Sequence, residues 1–251
     1  MKPRDTGSVL TFAGHLEELR RRLGLCLLAL LLGVGIGITQ VDRIIDALQR
    51  PAAHLLWRLA FFSPTEPFLA YMRVALLAGV IVAMPVFLWQ LWLFLRSGLH
   101  ERERFYGLTF IGWGSLQFML GVLFAYVVLL PASLKLLFSI GSHRLEPIIS
   151  IDQYLSFVTT VMVWCGVVFE LPVVLWTLAS LGIVTPTWLR QQRGYAILAL
   201  TILAAIVTPT TDAVNLLLML VPMILLYELS ILVTSVAERL RRRPRGNREP
   251  P

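Results

Sequence analysis

Apolar residues along this chain gather in long, nearly unbroken runs, with polar residues confined to the gaps. Six runs stand out: Leu23–Thr39, Val74–Leu95, Phe105–Leu130, Leu155–Leu181, Tyr195–Val207 and Ala213–Tyr227. A helix needs about 20 residues to cross a hydrocarbon core of about 30 Å. A helix that is apolar on every side must be covered by lipid or by other helices. The pattern therefore predicts an all-α integral membrane protein with six transmembrane helices. The fifth and sixth runs are short. Tyr195–Val207 makes only about 20 Å of helix at about 1.5 Å per residue, so the bilayer must thin there or neighbours must shield it. The fourth run would reach about 40 Å by the same arithmetic and should tilt or kink. The first run passes into "TQVDR" without a small-residue cleavage pattern and is read as a retained span.

The gaps add orientation. Most of the 22 basic residues fall on one side: Lys2, Arg4 and Arg20–Arg22, then Arg96, Arg102 and Arg104, then Arg190 and Arg193, then the tail from Arg239 to Arg248. The positive-inside rule puts that side, and both termini, in the cytoplasm. The chain thus reads as one membrane domain over residues 1–238, followed by a basic, disordered cytoplasmic tail over 239–251. Of the outer loops, residues 40–73 carry apolar positions at helical spacing around Leu55, Leu59 and Phe62. These predict an amphipathic helix on the membrane surface. Residues 131–154 form a second outer loop, and "TPTTD" a tight third.

Composition agrees and excludes several classes. Hydrophobic residues make up 57% of the chain and charged residues 15%, with mean hydropathy +0.75. The net charge of +7 follows from topology and a lipid-facing tail, so it implies no nucleic acid. Cys26 and Cys165 fall inside spans as packing residues, without disulfide or metal spacing. His15, His54, His100 and His143 lie at span edges or in loops, and there is no nucleotide-binding loop or H-E-x-x-H. Ser115 in "GWGSL" is the nearest thing to a nucleophile and has no base at matching depth. No enzyme activity, metal or cofactor is expected.

One residue breaks the apolar pattern from within. Glu170, in "CGVVFELPVVLW", stands mid-span two residues before Pro172. An ionised carboxylate at span centre costs about 3 kcal/mol on insertion scales. Pro172 has no N–H, so the carbonyl of Val168 loses its helical donor. Carbonyl and carboxyl form a polar notch. It serves either as a kink whose neutral carboxyl bonds within the bundle, or as a contact for a partner or substrate. Pro85 and Pro222 repeat the device in the second and sixth spans, which predicts bent helices and a concave bundle.

The densest charge cluster is "HLEELRRRL". Glu17–Arg21 and Glu18–Arg22 are i,i+4 pairs in the favourable order. The inner loop "HERER" adds Glu101 and Glu103. Four carboxylates on the cytoplasmic face would suit an arginine-bearing ligand, since carboxylates bind guanidinium groups bidentately.

"HLEELRRRL" together with "MPVFLWQLWLFL", "FELPV", "TPTTDAVN" and "PMILLYELSIL" resembles, in order and over about residues 10–238, the TatC family of twin-arginine protein translocases. The resemblance implies a glove-like, six-helix protein of the cytoplasmic (inner) membrane. Such a protein binds twin-arginine signal peptides of folded cargo and works with the single-span proteins TatA and TatB in a multi-copy complex driven by the proton-motive force. It implies signal-peptide roles for Glu18, Arg20 and Glu103, with Glu101 as the alternative in "HERER", and support from Phe94 and Pro85. Glu170, beside Pro172, would meet a polar residue of a partner helix from the concave face. Pro51 and Asp212 would match outer-loop positions. The turn departs from the family in lacking a second proline and in carrying Asn215. A proton-coupled small-molecule transporter titrating Glu170 is the alternative, although such folds show related halves and none are visible.

Overall fold

The computed structural model describes residues 7–52, 59–96, 107–139, 148–180, 182–208 and 213–242. Within these, nearly all of the chain is helical. Helix α1 (Gly7–Thr39) leads to a short helix α2 (Val41–Gln49) and a single 3-10 turn at Arg50–Ala52. Strand β1 (Leu59–Ala60) precedes α3 (Glu66–Arg96). Helix α4 (Gly107–Phe124) passes through a π-helical turn at Ala125–Leu129 into α5 (Leu130–Ser139). Strand β2 (Ile149–Ser150) precedes α6 (Ile151–Phe169) and α7 (Leu171–Ser180). Helices α8 (Pro186–Gln191), α9 (Arg193–Val207) and α10 (Ala213–Arg242) complete the chain.

Among the described residues, five helical stretches are long and apolar enough to cross a membrane: Glu17–Thr39, Glu66–Phe94, Phe110–Leu137, Ile151–Ser180 and Ala213–Val236. Helix α9, at 15 residues, is the short one, about 22 Å long. The six-helix architecture thus stands, with three corrections to the spans. The third does not stop at Leu130: the π turn widens the helix just ahead of Pro131 and lets it continue to Ser139. The sixth is not short. It runs past Tyr227, because Glu228 is paired with Arg193 (2.7 Å) at the helix surface and does not end the helix. Residues 239–242, assigned to the tail, close α10, whereas 243–251 lie outside the described residues.

The outer amphipathic helix also sits elsewhere. It is α2, whose Val41, Ile45 and Leu48 face inward at helical spacing. Residues 53–58, where Leu55 falls, lie outside the described residues. Leu59 instead pairs in parallel with Ile149, and Ala60 with Ser150, while Phe61 and Phe62 are exposed. Two buried or half-buried tyrosines hold α2 down. Tyr126 donates to the carbonyl of Ala47 (2.8 Å) and Tyr154 to that of Leu48 (2.7 Å). Both carbonyls belong to the last turn of α2, where helical donors run short; that of Ala47 also accepts from the N–H of Arg50. Pro51 follows, half-buried. Ser150 caps α6, accepting from the N–H of Gln153 at 3.4 Å, and donates to Glu66 at the start of α3 (2.6 Å).

Helices α1 and α3 meet backbone to backbone. A Cβ on Gly33 would lie 2.7 Å from the carbonyl oxygen of Gly79, and one on Gly37 2.7 Å from that of Ala75. This is the small-residue contact by which helices associate in lipid, where hydrophobic burial gives no drive. Gly121 of α4 approaches the Cys165 carbonyl of α6 in the same way, at 2.6 Å. On the other face of α1, Leu23, Leu27, Leu31 and Leu32 are exposed.

Candidate functional site

The chemistry-bearing residues fall into two groups along α3. At its C-terminal end stand the residues of the amino-terminal cluster. Helical rotation sends three successive arginines to different sides. Arg20 and Arg21 are exposed, and only Arg22 turns to α3, its side chain 17% exposed. Its guanidinium bonds Oε1 of Glu18 through Nε at 3.2 Å and again through a second nitrogen. It also donates to the carbonyls of Gln90 (3.3 Å) and Leu93 (3.2 Å). The Glu18–Arg22 pair anticipated from spacing is formed. Glu17 and Arg21, among the described residues, make no ion pair. Phe94, 40% exposed, follows Leu93 directly. The fold thus gathers Glu18 and Phe94 at one helix end, with Arg22 between them. Sequence reasoning saw Arg22 only as a helix-surface partner; its reach into α3 depends on tertiary packing and leaves no local signal.

Pro85 lies within α3, less than a turn and a half before Arg22's first contact at Gln90, and is exposed. Glu101 and Glu103 lie outside the described residues, as does Asp212 of the outer turn. Pro51 is at the outer face with α2 and is not brought near this cluster.

The second group lies deeper, at the α6–α7 junction. The kink expected near Pro172 is a local break in the helical bonding. Glu170 keeps helical dihedrals (φ −74, ψ −10), but its N–H turns back to the Val167 carbonyl at 3.1 Å, its own carbonyl accepts from Val174 at 2.9 Å, and α7 starts at Leu171. Pro172 is buried in the first turn of α7, where a missing N–H costs nothing. The Glu170 side chain does not face an open concave surface. It is 6% exposed and lies against α4, where a Cβ on Gly114 would be 3.2 Å from its Oε2 and 2.7 Å from Leu88 of α3. Neither carboxylate oxygen has a hydrogen-bond partner among the described residues. Ser115 of α4 also has a buried, unpartnered hydroxyl oxygen. Exposed Val167 and Val174 flank the break on the outside of the bundle.

Between the two groups sits a compact apolar plug of Leu88, Trp92, Phe110 and Val173, with Trp176 packed on it. Trp92 and Phe110 meet at 5.1 Å between ring centroids. Cys165 is buried with its sulfur 3.8 Å from that of Met219, and Cys26 is half-buried; both act as packing groups. No cluster of three potential metal ligands occurs among the described residues.

Comparison with known proteins bears directly on these motifs. Residues 14–222 match the family model described as "Sec-independent protein translocase protein (TatC)". The chain is 40% identical over 243 residues to the Sec-independent protein translocase protein TatC of Koribacter versatilis, covering 94% of this chain and 89% of that one. It is 37% identical over 229 residues to the TatC of Aquifex aeolicus, covering 90% and 95%. A crystal structure of the twin-arginine translocase receptor TatC superposes with a TM-score of 0.80 at 37% identity, covering 90% of this chain and all of that one.

Proposed function

We propose that this chain, which belongs to the Sec-independent protein translocase (TatC) family, is the signal-peptide receptor and core subunit of a translocase that exports folded proteins. The observation that supports the reading is the Arg22 bridge from Glu18 to the Leu93 carbonyl, one residue before exposed Phe94, at the C-terminal end of α3. A carboxylate next to an exposed aromatic suits a guanidinium, which pairs with the first and stacks on the second. Arg20 on the exposed side of α1 and Glu103 or Glu101 in the following inner loop belong to the same site, and Pro85 within α3 supports it from outside the peptide pocket. With the basic residues inside, both termini are cytoplasmic and the site faces the side on which cargo is made. The chain sits in the cytoplasmic membrane and works in several copies with single-span TatA and TatB proteins, using the proton-motive force. It has no catalytic role of its own.

Glu170 fits a partner role better than a cargo role. It is sealed from the cytoplasmic end by the Trp92–Phe110 plug, and it flanks a helix break whose outer face is apolar. A single-span helix bringing one polar side chain to that break would supply the bond that the carboxyl lacks among the described residues. Pro51 and Asp212 mark the outer-face loops of the same receptor. A small-molecule transporter reading has no support from the family comparison.

The test is photo-crosslinking of a twin-arginine signal peptide to membranes carrying the chain. Glu18→Ala and Glu103→Ala should each reduce crosslinking severalfold while the protein still accumulates. Undiminished crosslinking in both variants would remove the site.

A further inference from the structure

We infer that Arg22 is a positioning residue for arginine recognition: docked on the carbonyl end of α3, it fixes Glu18 so that the site prefers guanidinium over ammonium groups. The inference rests on the receptor reading above and deepens it.

The geometry separates Arg22 from its neighbours in "RRR". Topology requires positive charge here, and any of the three arginines satisfies that. Only Arg22 is turned inward, and it spends its planar fork on three acceptors: Glu18 Oε1, the Gln90 carbonyl and the Leu93 carbonyl. Gln90 and Leu93 lie three residues apart, one turn along the same face. The Leu93 carbonyl is among the last four of α3, which have no helical donor. Arg22 is therefore a cross-helix cap. It closes the α1–α3 seam at the cytoplasmic end, as Gly33 and Gly37 close it within the membrane.

Two consequences follow for a bound arginine. The first is geometric. Glu18 is a flexible side chain at an exposed helix surface, 40% exposed. Tied through Oε1 to a guanidinium that is itself tied to a neighbouring helix, it has a fixed carboxylate plane. A fixed plane matters to a ligand that must match two parallel N–H groups and matters little to a rotating ammonium. The second is electrostatic. An Arg22 shared only with Glu18 would neutralise it. The end of α3 carries a partial negative charge of about half a unit, so Arg22 is divided between that end and Glu18. Glu18 and the α3 end together outweigh Arg22 by about half a charge.

The experiment uses the full chain in liposomes and two synthetic signal peptides, identical except for twin arginine or twin lysine, with affinities read by fluorescence. The parent should prefer the arginine peptide. Arg22→Gln should weaken arginine-peptide binding by about tenfold, the loss of roughly one charge-assisted interaction. It should leave lysine-peptide binding nearly unchanged, so the preference shrinks. Adding Glu18→Gln should cost little more. Arg22→Lys, which keeps the charge and the packing of the stem, should fall between and gives the answer if Arg22→Gln fails to accumulate. A purely structural role would weaken both peptides together and preserve the ratio, which overturns the inference. Tighter arginine binding in Arg22→Gln would overturn it too, because Arg22 would then be a competitor. If Glu18→Gln alone leaves the ratio unchanged, the receptor reading of Glu18 falls first. If Glu18→Gln abolishes the preference and Arg22→Gln does not, only the present inference falls.

Discussion

Replacing Glu170 by methionine should make the isolated chain more stable and the translocase inactive. The carboxyl is 6% exposed and neither oxygen is hydrogen-bonded. A buried polar group left unpaired costs about 1–3 kcal/mol, whereas an apolar group of similar shape at the same place costs nothing of the kind. Methionine is unbranched and nearly matches glutamate in length, so it can follow the same path past Gly114, where Oε2 lies 3.2 Å from an idealised Cβ. It neither opens a cavity nor needs much repacking. The expected gain is therefore about 1–3 kcal/mol. Glu170→Gln keeps two polar atoms in the same apolar surroundings and should lie within about 1 kcal/mol of the parent. Reversible unfolding of the purified chain in mixed micelles, titrated with SDS, measures all three. Export of a twin-arginine reporter in cells measures function in parallel. Glu170→Met should abolish export while the protein accumulates at least as well as the parent. Glu170→Gln separates two uses of the group: export survives if a hydrogen bond suffices and fails if the charge or proton is needed. A Glu170→Met chain less stable than the parent by 1 kcal/mol or more would refute the reasoning, since the carboxyl would then be satisfied within this chain.

Three further outcomes test the frame around the site. Gly79→Leu should prise α1 from α3, because a Cβ at Gly79 already meets Val34 at 2.6 Å. The expected cost is about 1–3 kcal/mol, read as lost cysteine crosslinking between the two helices. Tyr154→Phe should leave the Leu48 carbonyl without its bond and destabilise by about 1–3 kcal/mol, seen as faster proteolysis of the outer segment after α2. Arg193→Ala should change stability by less than about 1 kcal/mol, since its bond to Glu228 joins two half-exposed side chains; a larger loss in SDS unfolding would show that the pair holds α9 to α10.

Much of this architecture is written in the sequence, because lipid imposes simple demands. Long apolar runs and arginine-rich gaps can satisfy them in few ways, so spans and orientation follow from counting. The errors fall where a local rule met a tertiary exception. Pro131 reads as a helix stop, yet a π turn carries the helix past it. Glu228 reads as a span end, yet Arg193 of α9 pairs with it. The apolar spacing puts the outer amphipathic helix about fourteen residues too late, because "VDRIIDALQ" is short and two distant tyrosines seal its end. Glu170 announced itself as a lone charge, but the side it faces is decided by Gly114 and Leu88, far away in the chain. Arg22 was invisible among equals for the same reason.

Helix α3 explains why two sites so different in depth belong to one receptor. Leu88 packs on Gly114 beside Glu170, and the carbonyls of Gln90 and Leu93 hold Arg22. From Leu88 to Leu93 is about 7.5 Å of helix, less than a turn and a half. Over that distance an intact α-helix moves as one piece, since bending it would break hydrogen bonds that lipid cannot replace. Pro85, one turn further into the membrane, has no N–H and so removes one such bond. The segment from Pro85 to Arg96 can therefore swing on the rest of α3 more easily than it can bend within itself. If a signal peptide binds at Glu18 as proposed, a pull on the Glu18–Arg22 clamp would shift the Trp92 plug and Leu88 with it, and so change the packing beside Glu170 where a partner helix would dock. Stiffening that hinge with Pro85→Ala should leave the arginine-over-lysine preference intact and impair export, a separation that a proline serving only the peptide pocket would not produce.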